Sequence, residues 1–210
     1  YAMRFTGEQE DQAKDMNFLL MAFVVAIFVV FLIIVAQFNS ISYPVIVMST
    51  VVFSTIGVLL GLVVFRMEFV GLMTTLGIIS LIGVVVNNAI VLMDFARLLF
   101  ERAQRKLGLD ADAIIPIHES REALVIAGHT RLRPVLLTAI TAVLGLLPLA
   151  IGLNFNFFSL FMELDPHIHM GGDNVVFWGP LSWAVIFGLI FATFLTLIIV
   201  PVMLLIVMKI

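Results

Sequence analysis

The chain has 210 residues, 62% hydrophobic and 12% charged, with a net charge of −3; soluble domains run near 45–50% apolar and about 25% charged. A soluble globular enzyme of this size has no interior large enough for so much apolar surface, and disorder is excluded by the same composition. The mild acidity argues against nucleic acid as a partner, and with no cysteine there are no disulfides, thiolate metal sites or cysteine nucleophile.

Charge-free runs set the class. No Asp, Glu, Lys or Arg stands between Asp15 and Arg66, and further uncharged runs cover 69–93, 134–162 and 174–208. A bilayer core of about 30 Å takes roughly 20 apolar residues as helix. The first run is interrupted by Gln37-Phe38-Asn39-Ser40 and Ser42-Tyr43-Pro44, so it reads as two spans joined by a polar turn. The prediction is an all-α membrane protein, a bundle of five transmembrane helices near 17–36, 44–64, 70–93, 134–153 and 181–207, with a segment 94–133 between the third and fourth.

In chain order, Tyr1–Thr6 reads as a strand end, broken by Gly7, and Glu8–Met16 as a helical lead into the first span. Residues 1–16 lack the basic region of a signal peptide, so they read as the tail of an external domain and the chain as a fragment. The second span carries Gly57-x-x-x-Gly61, and the third carries Ser80 and Gly83 one turn apart. Small residues let membrane helices approach closely, so Gly57, Gly61, Ser80 and Gly83 are expected on protein-facing sides. The third span is predicted to continue as a polar helix from Asp94 to Lys106, with a loop at Leu107–Ala113. A helix starting at Pro116 is expected to end before Gly128 and either to lie on the membrane surface or to pack on the bundle ends.

Polar groups inside spans need a reason. Asn87 and Asn88 are adjacent in the third span, pointing about 100° apart, so at least one is expected to face the bundle or a water-filled cavity; an interhelical hydrogen bond is the alternative role. On the fourth span, Thr138 lies two turns beyond Arg131 on one face. That pair fits either a proton path or a snorkelling arginine with a threonine bonded to its own backbone. In 154–180, His167 and His169 with Asp165 and Asp173 raise a metal question; no third strong ligand stands at characteristic spacing, and no metal site is assigned.

Basic residues orient the chain. Residues 37–43, 94–133 and the C-terminus hold eight (Arg97, Arg102, Arg105, Lys106, Arg121, Arg131, Arg133, Lys209), against Arg4, Lys14 and Arg66 on the other side. The positive-inside rule makes the first side cytoplasmic and the N-terminus external.

The runs GIISLIGVVVNNAIVLMDFA (77–96) and TRLRPVLLTAITAVLGLLPLAIG (130–152), with QFNSISYP (37–44) and VPVM (200–203), together resemble the resistance-nodulation-division (RND) efflux transporters, in their hydrophobe/amphiphile exporter branch. The resemblance covers essentially the whole chain. It implies a protein of twelve spans in two six-helix repeats, with periplasmic domains after the first and seventh. On that pattern this chain matches spans eight to twelve, and residues 1–16 match the end of the second periplasmic domain. It further implies a homotrimer in the bacterial inner membrane, surrounded by lipid, exporting amphiphilic or toxic solutes by proton antiport with a periplasmic adaptor and an outer-membrane channel. No enzymatic step and no cofactor beyond the proton gradient is implied.

The family's relay carries over in part. Its two aspartates belong to the fourth span, outside this sequence. A lysine usually precedes Asn-Ala-Ile on the tenth; here Asn87 occupies that position, before Asn88-Ala89-Ile90. Arg131 and Thr138 match the eleventh-span positions. Asn87 neither takes a proton nor carries charge, which leaves coupling by the aspartates alone, or by sodium, open. A non-transporting relative, a membrane assembly factor or sensor on the same bundle, is the alternative class.

Overall fold

The computed structural model describes residues 8–108, 115–154 and 169–208. Five helices carry the fold: α1 (Glu8–Phe38), α2 (Ser42–Val64), α3 (Gly71–Leu107), α4 (Ile117–Ile151) and α5 (Asp173–Met208). All five are long and apolar enough to cross a membrane. Two short strands, β1 (Leu153–Asn154) and β2 (His169–Met170), pair antiparallel with Leu153 opposite Met170.

Local chemistry explains the helix ends. Asn39 adopts a left-handed φ of 46°, which asparagine tolerates better than most residues, and its N–H closes on the Val35 carbonyl at 2.9 Å. Pro44 sits in the first turn of α2, where its missing N–H leaves no intrahelical bond unmade. Gly108 and Gly152 end α3 and α4 at φ 65° and 71°, conformations costing a side-chain-bearing residue about 1–2 kcal/mol. Arg105 and Lys106 in the last turn of α3 complement the helix dipole.

Two expectations need correction. No helix ends at Gly128: α4 runs unbroken from Ile117 through Gly128 and Pro134 to Ile151. Ala123, Leu124 and Ala127 bury against Phe100 of α3 and Val200 and Leu204 of α5, and that packing outweighs the roughly 1 kcal/mol that a mid-helix glycine costs. The fifth helix starts at Asp173, eight residues before 181, and passes through Pro180. Within the small-residue set, Gly57 and Gly61 make close approaches among the described helices.

Helix α5 lies at the centre, packed on α2, α3 and α4. Gly57 and Gly61 face it closely enough that a Cβ would come within 2.5 Å of the Cβ atoms of Phe191 and Phe187 respectively. Ser80 is exposed, and a Cβ on Gly83 would meet nothing within 4 Å. The close approach on α3 belongs instead to Gly77, where a Cβ would lie 2.9 Å from that of Ala184. Two apolar cores result. One gathers Val58, Leu62, Leu81, Val85, Ala184 and Leu189; the other gathers Ile34, Val47, Leu92, Phe100, Leu124 and Leu204. Helix α1 is peripheral, with 6% of its apolar stretch buried.

Candidate functional site

The polar residues of α3 and α4 organise around one cross-helix contact. The Arg131 guanidinium of α4 rests over the Phe95 ring of α3, its Cζ 4.5 Å from the centroid. A cation over an aromatic face gains about 0.5–2 kcal/mol depending on its hydration. Arg131 is half-buried, and its Nε is enclosed without a hydrogen-bond partner. Among the described residues the guanidinium is thus held by the ring and by no carboxylate: neighbouring Asp94 is exposed and forms no ion pair with it.

Seven residues are close to two full helical turns, about 10 Å of rise. Counting back from Phe95 reaches Asn88 on the same face of α3. Counting forward from Arg131 reaches Thr138 on the same face of α4. The two helices run antiparallel across the contact, so Asn88 and Thr138 stand at equal depth. Asn88 is 8% exposed, whereas Asn87 is exposed. The adjacent asparagines therefore divide: Asn88 turns into the bundle and Asn87 turns outward from the described helices. Thr138 is exposed, and its hydroxyl donates to the Val135 carbonyl at 2.9 Å. Thr141, one turn on, donates to Leu137 O at 2.8 Å. These backbone bonds leave the hydroxyl oxygens with acceptor capacity.

Phe95 carries no signal in the sequence, because a phenylalanine beside a helix end reads as ordinary packing. The same holds for Trp183, whose Nε1 donates to the Ala150 carbonyl at 3.0 Å and whose ring stacks on Phe187 at 5.3 Å. That bond occupies a carbonyl in the last turn of α4, where no intrahelical donor follows. Asp165 and His167 lie outside the described residues, and His169 belongs to β2.

A profile of the AcrB/AcrD/AcrF family matches residues 1–154. The chain belongs to that family. The chain is also similar to the swarming motility protein SwrC of Bacillus subtilis (strain 168), 38% identical over 196 residues. That match covers 93% of this chain and 16% of the relative. The multidrug resistance protein MdtC of Erwinia tasmaniensis is 33% identical over 177 residues, covering 84% of this chain and 14% of the relative. Among solved structures, a heavy metal efflux pump superposes with a TM-score of 0.69 at 26% identity, covering 97% of this chain and 17% of that one. The chain thus spans about a sixth of the length of the proteins it matches.

Proposed function

We propose that this chain is the C-terminal transmembrane part of an RND pump that exports amphiphilic or toxic solutes by proton antiport. The same reading sets it in the bacterial inner membrane, with its N-terminus periplasmic, its C-terminus cytoplasmic and no enzymatic role. Its partners are the rest of its own transporter chain, two further copies in a trimer, a periplasmic adaptor and an outer-membrane channel. On this reading the proton gradient drives export, with sodium the alternative coupling ion because Asn87 stands at the usual lysine position, and no further cofactor is invoked.

The observation that carries the reading is the outward turn of Asn87. A polar amide on a lipid-facing surface is costly. An exposed asparagine inside an otherwise apolar span is therefore expected to meet a further helix or a water-filled path. In the RND resemblance the relay's carboxylates belong to a helix outside this sequence, and on this reading Asn87 faces that helix. Thr138, at the depth of Asn88 and two turns from Arg131, supplies a hydroxyl at the same level. The multidrug relative supports an amphiphilic cargo.

The test uses the full transporter in an exporter-deleted host, with membrane level by immunoblot and dye efflux as readouts. Thr138→Ala and Asn87→Ala are expected at normal membrane level with efflux reduced about tenfold or more. In everted vesicles, cargo-stimulated proton movement should fall in parallel. Wild-type efflux from both variants would remove Asn87 and Thr138 from the relay.

A further inference from the structure

A cleft of about 240 Å³ separates the N-terminal turn of α4 from the C-terminal turns of α5. Its α5 wall is apolar, built from Val202, Leu205 and Ile206; its α4 wall holds Ser120 and Arg121. Ser120 is 3% exposed, and its Oγ has no hydrogen-bond partner. Buried hydroxyls are nearly always paired, so an orphan one lining a cavity needs an explanation. Arg121 is exposed and makes no ion pair among the described residues. The α4 N-terminus adds to this: Pro116 at its cap offers no side-chain acceptor, so the first-turn N–H groups add partial positive charge. Glu119 of that turn lies 3.9 Å from the His118 ring, an ion pair only when that histidine is protonated, and Glu122 lines a neighbouring groove together with Arg121.

The cleft sits at the edge of the membrane. Its α5 wall is the end of the uncharged run 174–208, which Lys209 closes. Val202 and Ile206 are half exposed, at 50% and 56%, and continue the apolar wall out of the cleft toward lipid. A buried hydroxyl without a partner and an exposed guanidinium that pairs with no carboxylate among the described residues therefore line a cleft whose other wall is apolar, at the hydrocarbon boundary. That combination matches a ligand with an anionic head and an apolar body. At about 240 Å³ the cleft is far smaller than a whole two-chain lipid, so only a headgroup is expected to enter it. The chains have Val202 and Ile206 to run along.

We propose that this cleft binds the phosphate headgroup of an anionic phospholipid, with Arg121 and Ser120 on the phosphate and the acyl chains against α5. Basic pockets between membrane helices at the cytoplasmic face have the chemistry for such headgroups. The site is separate from the polar set around Arg131 and does not depend on proton coupling.

The full transporter chain, purified in an uncharged maltoside detergent, is titrated with dioctanoyl-phosphatidylglycerol, dioctanoyl-phosphatidylcholine or sodium phosphate, with binding read by calorimetry and by the shift in Tm. Phosphatidylglycerol is expected to bind and raise Tm, phosphatidylcholine to bind at least fivefold more weakly, and sodium phosphate to do neither at the same concentration. Arg121→Gln should weaken phosphatidylglycerol about tenfold, with Arg121→Lys recovering most of the loss, and Ser120→Ala should weaken it several-fold. Ile206→Trp, which crowds the apolar wall without touching a charge, should weaken it too and keeps the test decisive should an α4 variant fail to fold. Wild-type phosphatidylglycerol binding by Arg121→Gln, or by Ile206→Trp where the α4 variants do not fold, overturns the site. Equal protection by sodium phosphate overturns the lipid and leaves a free-anion site.

Discussion

The position of one guanidinium shows how residue chemistry builds the polar site. Arg131 could have paired with Asp94, whose side chain belongs to the neighbouring position on α3. It lies over Phe95 instead, and its Nε has no partner. A guanidinium is more weakly hydrated than an ammonium and stacks on aromatic faces, so lysine is a poor substitute here. A double-mutant cycle between Phe95→Leu and Arg131→Gln, read by thermal unfolding of the purified full chain, is expected to give a coupling of about 1 kcal/mol. A coupling of zero would make the contact incidental. The residue types at this site were legible in the sequence, since an Asn pair and an Arg seven residues before a Thr stand out in apolar runs. Their division was not. Which of two adjacent asparagines turns inward depends on where the neighbouring helices lie, and no local pattern encodes that.

At the scale of elements, α5 explains which small residues matter. Its bulky Phe187 and Phe191 occupy the space that Gly57 and Gly61 leave open on α2, while Gly77 admits Ala184. The Gly-x-x-x-Gly motif was readable because its spacing lays both glycines on one face. Ser80 and Gly83 have similar composition but lie on the outer side of α3, a distinction that spacing alone does not make. Gly61→Val should therefore shift α2 from α5 and destabilise by about 1–3 kcal/mol, the usual cost of overpacking. Gly83→Ala meets no atom of the other described helices, so within these five helices it should be neutral or stabilise slightly by favouring helix. Thermal unfolding of the two variants side by side separates them; equal losses would mean that a helix beyond the described ones packs on the Gly83 and Asn87 face of α3 as tightly as α5 packs on α2. The unbroken α4 escaped sequence reading for a related reason. Gly128 and Pro134 are breakers in an isolated chain, and only the burial of Ala123, Leu124 and Ala127 shows why the helix persists.

For the whole molecule, charge-free length was a sufficient signal: five apolar runs became five helices. Orientation rests on the eight-to-three distribution of basic residues. It predicts that a cysteine at Glu122 is shielded from a membrane-impermeant thiol reagent added to intact spheroplasts, whereas one at Asn174 is labelled. Both positions are exposed, so access to reagent decides the result. Labelling at 122 without labelling at 174 would invert the topology. The weak attachment of α1 has the same origin as its legibility: it is apolar all round, so its sequence announces a span but no preferred neighbour.

Helices α3 and α4 do not stop where the hydrocarbon does. Beyond their apolar runs, Asp94–Leu107 and Ile117–Arg133 continue as helix, arms of about 21 and 25 Å at 1.5 Å per residue. Arms of this kind act as levers, because helices are stiff over such distances and bend sharply only at identifiable defects. A tilt of about 10° where α3 leaves the bilayer would carry the far end of its arm sideways by about 3.5 Å, by simple trigonometry on that length. A rearrangement too small to disturb the packing beside Asn88 is thereby enlarged at the opposite end of the helix, where Arg105 and Lys106 would carry their charge through an arc as wide as a hydrogen bond is long.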